Sequence, residues 1–207
     1  MYIHGLWLGG GESILLRGRL SDALGAQCRV FSYSSMSVSV DENAEALGEY
    51  LHQIKADTLH LVAHSLGGLV TLAFFEREHA ALPPGRVVLL GSPVRGSRSA
   101  ARLVQLPFGG ALLGRAAAGL LLDGPDRRWG GARELGVIAG NLDLGLGRLL
   151  GSMEGASDGT VFVDETTLPG AAEQILMHVT HTGMVYSAEV ATQVAAFLRD
   201  GRFAPVQ

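Results

Sequence analysis

The chain has 207 residues, a length that suits one domain (1–207), or one domain with a short excursion. Hydrophobic residues make up 47% of it, enough to fill a three-layer core, and the formal net charge of −4 argues against a nucleic-acid binder. Cys28 is the only cysteine, which excludes an intramolecular disulfide and a thiolate metal cluster.

Strand and helix patterns alternate from the start. Tyr2 to His4 reads as the first strand and Ser13 to Leu24 as a helix. Because the N-terminus enters that strand with no basic leader or cleavage site, the sequence predicts a cytoplasmic protein. Arg29 to Tyr33 is the second strand, Cys28 reads as a small apolar residue of that strand, and Glu42 to Ile54 is a helix. Thr58 to Ala63 is the third strand, followed by a helix-forming run from Leu69 to Glu78. Val87 to Gly91, Leu135 to Ala139 and Gln174 to Val179 complete six strands, and Ala188 to Leu198 closes the chain as a helix. Short apolar strands without alternation, joined by helices, predict a parallel sheet covered on both faces.

The third strand stops abruptly at a serine, in Ala63-His64-Ser65-Leu66-Gly67, and a helix begins at once behind it. A strand-to-helix turn this sharp pushes the serine hydroxyl out over the sheet, and it needs small residues two before and two after. Ala63 and Gly67 meet that need, with alanine where glycine is usual. A serine hydroxyl is a poor nucleophile unless an imidazole takes its proton, and a carboxylate must orient that imidazole. His181 lies beyond the last strand, in a loop with Gly183, whereas His178 falls within the strand pattern. Asp158 precedes Gly159 and Thr160, a turn that can aim a side chain inward. Asp143 is its rival, closer to the end of the fifth strand, whereas the excursion Asn141 to Ala156 separates Asp158 from that strand. His60 reads as a packed strand residue; His52 and His79 read as solvated helix positions. Gly9-Gly10-Gly11 lacks the lysine and hydroxyl residue of a phosphate loop and reads as a tight turn.

These segments together resemble the α/β-hydrolase superfamily, and within it the small bacterial serine lipases and esterases. Ile3-His4-Gly5-Leu6-Trp7, the serine turn, Ser157-Asp158-Gly159-Thr160-Val161 and His181-Thr182-Gly183-Met184-Val185-Tyr186-Ser187 carry the resemblance. It implies a minimal three-layer α/β-hydrolase fold, strand order 2-1-3-4-5-6, and the chain order Ser65, Asp158, His181 for the catalytic residues. It assigns His4 and Gly5 to shaping the oxyanion loop and His64 to the variable position of the serine turn. The backbone amides of Leu6 and Leu66 would then bind the oxyanion. The implied chemistry is cleavage of esters with an apolar acyl group, without metal or organic cofactor. A thioesterase or acyltransferase would use the same residues, and a non-catalytic binding protein of this fold is the reading from another class.

The connection Ser92 to Arg133 is too long for one crossover helix. It holds apolar runs around Leu103, Leu106, Phe108, Leu112 and Leu120-Leu121-Leu122. It also holds seven arginines (95, 98, 102, 115, 127, 128 and 133) against Asp123 and Asp126, a local charge of about +5. Pro107, the glycines and Arg115 argue against a membrane span. One reading is two packing helices with a solvated arginine face. The other is a lid or acyl wall, with Trp7, Leu106, Phe108, Leu112 and Met184 as the candidate acyl pocket. On that reading the arginines, Arg98 and Arg102 among them, face an anionic substrate or a lipid surface in transient contact.

Overall fold

The computed structural model of the chain describes residues 1–77, 82–122, 127–131, 133–145 and 154–205, with the backbone alone given for 116–122. His79, Asp123 and Asp126 lie outside them, as do the side chains of Leu120, Leu121 and Leu122. Six strands form one sheet: β1 (Tyr2–Ile3), β2 (Val30–Phe31), β3 (Leu61–His64), β4 (Val87–Leu90), β5 (Leu135–Gly140) and β6 (Glu173–Met177). They lie in the order β2-β1-β3-β4-β5-β6, every neighbouring pair parallel. Among the described residues the α-helices are α1 (Ile14–Leu24), α2 (Val40–His52), α3 (Leu66–Arg77), α4 (Arg98–Val104), α5 (Gly109–Leu122) and α6 (Ala188–Asp200).

Side chains alternate across the sheet, so each strand feeds two cores. Ile3, Leu61, Ala63, Val87, Leu89 and Val137 face one way and pack against Leu47 and Leu51 of α2 and Leu69, Val70 and Phe74 of α3. Tyr2, Val62, Val88, Leu90 and Ile138 face the other way, onto Leu16 and Leu20 of α1 and Val190, Val194 and Phe197 of α6. Both faces of β3 and β4 are therefore buried, which is why those strands read as unbroken apolar runs. Each such leucine or valine contributes about 1.5–3 kcal/mol.

Helix starts follow local chemistry. Ser39 and Glu42 form a reciprocal capping box at α2, so that helix begins at Val40, earlier than the apolar periodicity suggests. Ser97 caps α4, accepting from the Ala100 N–H, and Ser187 caps α6, accepting from Val190 N–H. The last strand departs from expectation. β6 is half-exposed, with Leu176 at the surface, because it is the sheet edge and only one face meets the core. Cys28 sits half-buried in the loop before β2, outside the sheet.

The connection after β4 forms two helices. α5 is broken at Gly114 (φ 67°, ψ −177°), where a side chain would run into the Met36 backbone. Among the described residues no helix is long and apolar enough to cross a membrane.

Candidate active site

The end of β3 sets the site. Ser65 adopts φ 53°, a left-handed conformation that costs a non-glycine residue energy and marks a strained turn. Its N–H donates to the Leu90 carbonyl (2.9 Å), tying the turn to the end of β4. At Gly67, two residues on, a side-chain carbon would stand 2.6 Å from the His4 carbonyl oxygen and closer still to that of Ile3. Glycine is needed there because α3 starts directly against the end of β1. Ala63 is fully buried opposite Ile3, so its methyl group is accommodated on the strand side of the turn.

Asp158 and His181 meet above β4 and β5. His181 Nδ1–H donates to Asp158 Oδ2 (2.7 Å), while Asp158 Oδ1 accepts from the Thr160 (2.9 Å) and Val161 (2.7 Å) amides. The His181 N–H also donates to the Asp158 carbonyl (2.8 Å). The aspartate is buried, with three donors on its carboxylate, in a turn closed by the Ser157–Phe162 bridge. With Nδ1 protonated, the lone pair of His181 is on Nε2. Gly91 (φ 53°) lets the pair lie so low: a side chain there would come within 3.0 Å of Asp158 Oδ2 and 3.1 Å of His181 Nδ1. Gly140 does the same beneath Asp158 Cβ. The sequence reading passed over both glycines, whose only signal was their position at strand ends.

The loop after β1 is pinned by His4. Its Nε2 accepts from the Tyr33 N–H (3.2 Å), its Nδ1–H donates to the Gly5 carbonyl (2.8 Å), and its ring stacks on Tyr33 at 4.2 Å. The Tyr33 hydroxyl, which burial keeps protonated, donates back to the His4 carbonyl (2.8 Å). Trp7 follows at φ 62°, with its N–H on Ser35 Oγ (3.2 Å). Among the described residues neither the Leu6 nor the Leu66 N–H has an acceptor within the protein. The Leu66 amide also opens α3, where the helix dipole favours negative charge.

His64 is buried behind the serine. Its Nε2–H donates to the His181 carbonyl (3.1 Å), its ring lies 4.7 Å from that of His181, and its Nδ1 has no partner. Burial, and then the nearby His181, lower its pKa to about 3, so it is a neutral prop for the histidine loop.

A cavity of about 280 Å³ opens at this point, lined by Gly5, Leu6, Trp7, His64, Ser65, Leu66 and His181 on one side. Pro93, Ala100, Leu103, Leu113, Leu144 and Val161 supply apolar walls. The candidate acyl pocket needs correcting here. Trp7 does line the cavity. Met184 does not: it is fully buried in the α1–α6 core, beneath Gly91 and Gly140. Leu106, Phe108 and Leu112 are exposed, at 49%, 86% and 50%. The helical phase of α5 turns Leu113 inward, leaving Leu112 outside, and the first two sit between α4 and α5.

The competing side chains lie elsewhere. Asp143 is exposed and accepts from Ser157 Oγ (2.9 Å), bracing the aspartate turn from outside. His178 is exposed past β6 and faces Asn141 Oδ1 (3.1 Å). His60 accepts the Arg86 N–H at the far end of β3, and His52 is exposed on α2. Arg98 does not face the cavity. Its backbone N–H (2.7 Å) and Nε (3.1 Å) bond Glu165 Oε1, its terminal nitrogen pairs with Asp164, and its guanidinium covers the Phe162 ring at 3.9 Å. Arg127 is buried beside Glu76 (3.3 Å), and Arg133 bonds the Leu59 carbonyl (2.6 Å). Much of the arginine excess therefore fastens the connection to the domain.

No family model and no curated protein sequence matches the chain. Solved structures do. The mature form of the lipase BlEst2 from Bacillus licheniformis aligns with a TM-score of 0.74 at 19% identity, over 96% of this chain and 89% of that one. The propeptide form of the same lipase gives 0.78 at 19% identity over 100% of this chain, which spans 51% of it. Phospholipase PlaB from Legionella pneumophila, in complex with thio-NAD, gives 0.67 at 18% identity, over 93% of this chain and 55% of that one. At such identities the likeness is one of fold, and the fold is that of the α/β hydrolases.

Proposed function

We propose that this α/β-hydrolase chain is a serine hydrolase acting on carboxylic esters with an apolar acyl group. The observation that carries the reading is His181, bonded to buried Asp158 at 2.7 Å and lining the same apolar cavity as a serine on a strained turn. His181 Nε2 takes the Ser65 proton as Oγ attacks the ester carbonyl. Negative charge grows on the carbonyl oxygen and is met by the Leu6 and Leu66 amides, donors that are already fixed and cost no reorganisation. The same histidine then protonates the leaving alcohol. Water, deprotonated by His181, attacks the acyl-enzyme and returns Ser65 to its starting state.

The test is labelling by a fluorophosphonate probe together with turnover of nitrophenyl esters. Ser65→Ala is expected to abolish labelling and to lower turnover by several powers of ten, because the triad acts as a unit. Undiminished turnover in a pure preparation of that variant would refute the serine mechanism. A folded wild-type protein that neither labels nor turns over esters would point to a binding protein instead.

A further inference from the structure

We infer that the α4–α5 hairpin is a fixed ruler for the acyl chain, that Leu113 is its stop, and that the substrates are esters of medium-chain acids. The inference rests on the ester-hydrolase reading and deepens it. Three observations carry it: the cavity's size, its wall, and the bonds that hold that wall in place.

The cavity measures about 280 Å³. A ~150 Å³ apolar cavity holds benzene, so this volume takes about eleven non-hydrogen atoms. The ester group itself uses about three of these, leaving room for an acyl chain of about eight carbons. The wall comes from Ala100 and Leu103 of α4 and Leu113 of α5, with Val161 beside them. Leu113 and Ala100 are almost fully buried, so they stand deep in the wall rather than at its rim.

A ruler must not move, and this one is bonded at each side. The break at Gly114 removes the usual partners of nearby backbone groups, and the fold uses them across the cavity. The Leu112 carbonyl accepts from Trp7 Nε1 (2.7 Å), and the Arg115 N–H donates to the Met36 carbonyl (2.6 Å). On α4, Ser99 Oγ donates to the Thr160 carbonyl (2.6 Å), and Arg98 holds Glu165. The acyl wall is thereby joined to the turn that carries Asp158.

The experiment measures kcat/KM for nitrophenyl esters from acetyl to palmitoyl, each rate divided by the concentration of probe-labelled serine. The expected profile rises about fourfold per methylene up to about eight carbons, then falls at lauroyl and palmitoyl. Leu113→Ala is expected to move the maximum about two to three carbons longer, and Ala100→Leu to move it shorter by a similar step. Division by labelled serine lets a partly folded variant still report. If Leu113→Ala yields no folded protein, Ala100→Leu decides alone. A profile that climbs to palmitoyl, or a maximum that neither substitution moves, overturns the ruler while leaving the serine mechanism standing. Absence of labelling and of turnover at every length would instead remove the esterase reading beneath it.

Discussion

Asp158→Asn tests the site at its most determined point. The two shapes are nearly the same, so the effect is one of protons. Asp158 Oδ1 now accepts two backbone N–H groups, and Oδ2 accepts one from His181. An asparagine can keep its oxygen on the Thr160 and Val161 amides, or turn it towards His181, but not both. Turning the amide nitrogen onto two backbone donors leaves three donors facing one another in a buried turn, so the oxygen stays where it is. The NH₂ group then meets His181 Nδ1, which must give up its proton to accept. The proton moves to Nε2, the nitrogen that has to receive the serine proton, and the base is lost. The expected fall in kcat is roughly 10³ to 10⁴, or about 4–5.5 kcal/mol of barrier. The assay is kcat on an octanoyl ester, with the fluorophosphonate labelling rate falling in parallel. Thermal stability should change little, because the turn keeps its backbone bonds. Retention of a tenth of the activity, or a greater loss in Asp143→Asn, would refute the reasoning, since Asp143 is exposed and bonds Ser157.

Two further expectations concern the groups around the triad. His64 has its pKa lowered to about 3 by burial, against 6.5 when unfolded, so between those values the unfolded chain binds the extra proton. Stability from this residue is present above pH 6.5 and is lost as pH falls through that window, by about 2 kcal/mol between pH 6.5 and 5. Urea melts at the two pH values should show the loss, and His64→Gln should flatten it; an equally steep loss in the variant would dismiss the burial argument. Arg98→Met would leave buried Glu165 without its charged partner, costing about 1–3 kcal/mol, a fall in Tm of roughly 2–10 °C. It should also lower kcat more than it raises KM, by loosening the Asp158 turn, and leave the salt dependence of substrate preference unchanged. A selective loss of anionic substrates would restore the view that this arginine faces the cavity.

The fold was legible because its evidence is local. β3 and β4 are buried on both faces and so carry uninterrupted apolar runs, while each turn between strand and helix is marked by glycine, serine or a capping pair. β6 shows where that logic weakens. Its residues Glu173 to Met177 alternate between half-buried and exposed, since an edge strand has one face to satisfy; the expected strand order put it last, but its apolar residues did not show that Leu176 would be left at the surface. The serine turn stood out for a steric reason: the Gly67 position touches the backbone carbonyls of Ile3 and His4 at the end of β1, which leaves the chain no other residue.

The acyl wall was not legible in the same way, because its geometry depends on contacts distant in sequence. Leu112 and Leu113 are neighbours of the same type, and only the phase of α5 decides which one enters the cavity. That phase is set by Gly114, whose break is held by Met36, and by Trp7, whose ring nitrogen reaches the Leu112 carbonyl across the cavity mouth. Arg98 was open to two readings for a related reason. Its positive charge suggested an anionic ligand, but Asp164 and Glu165, which come after β5 in sequence, arrive beside it once the sheet is assembled. Arg127 meets Glu76 of α3 in the same way. These ion pairs tie the long connection after β4 to the segment that follows the Asp158 turn and to α3. At Arg98 and Arg127, then, the charge serves to fasten the connection to its neighbours.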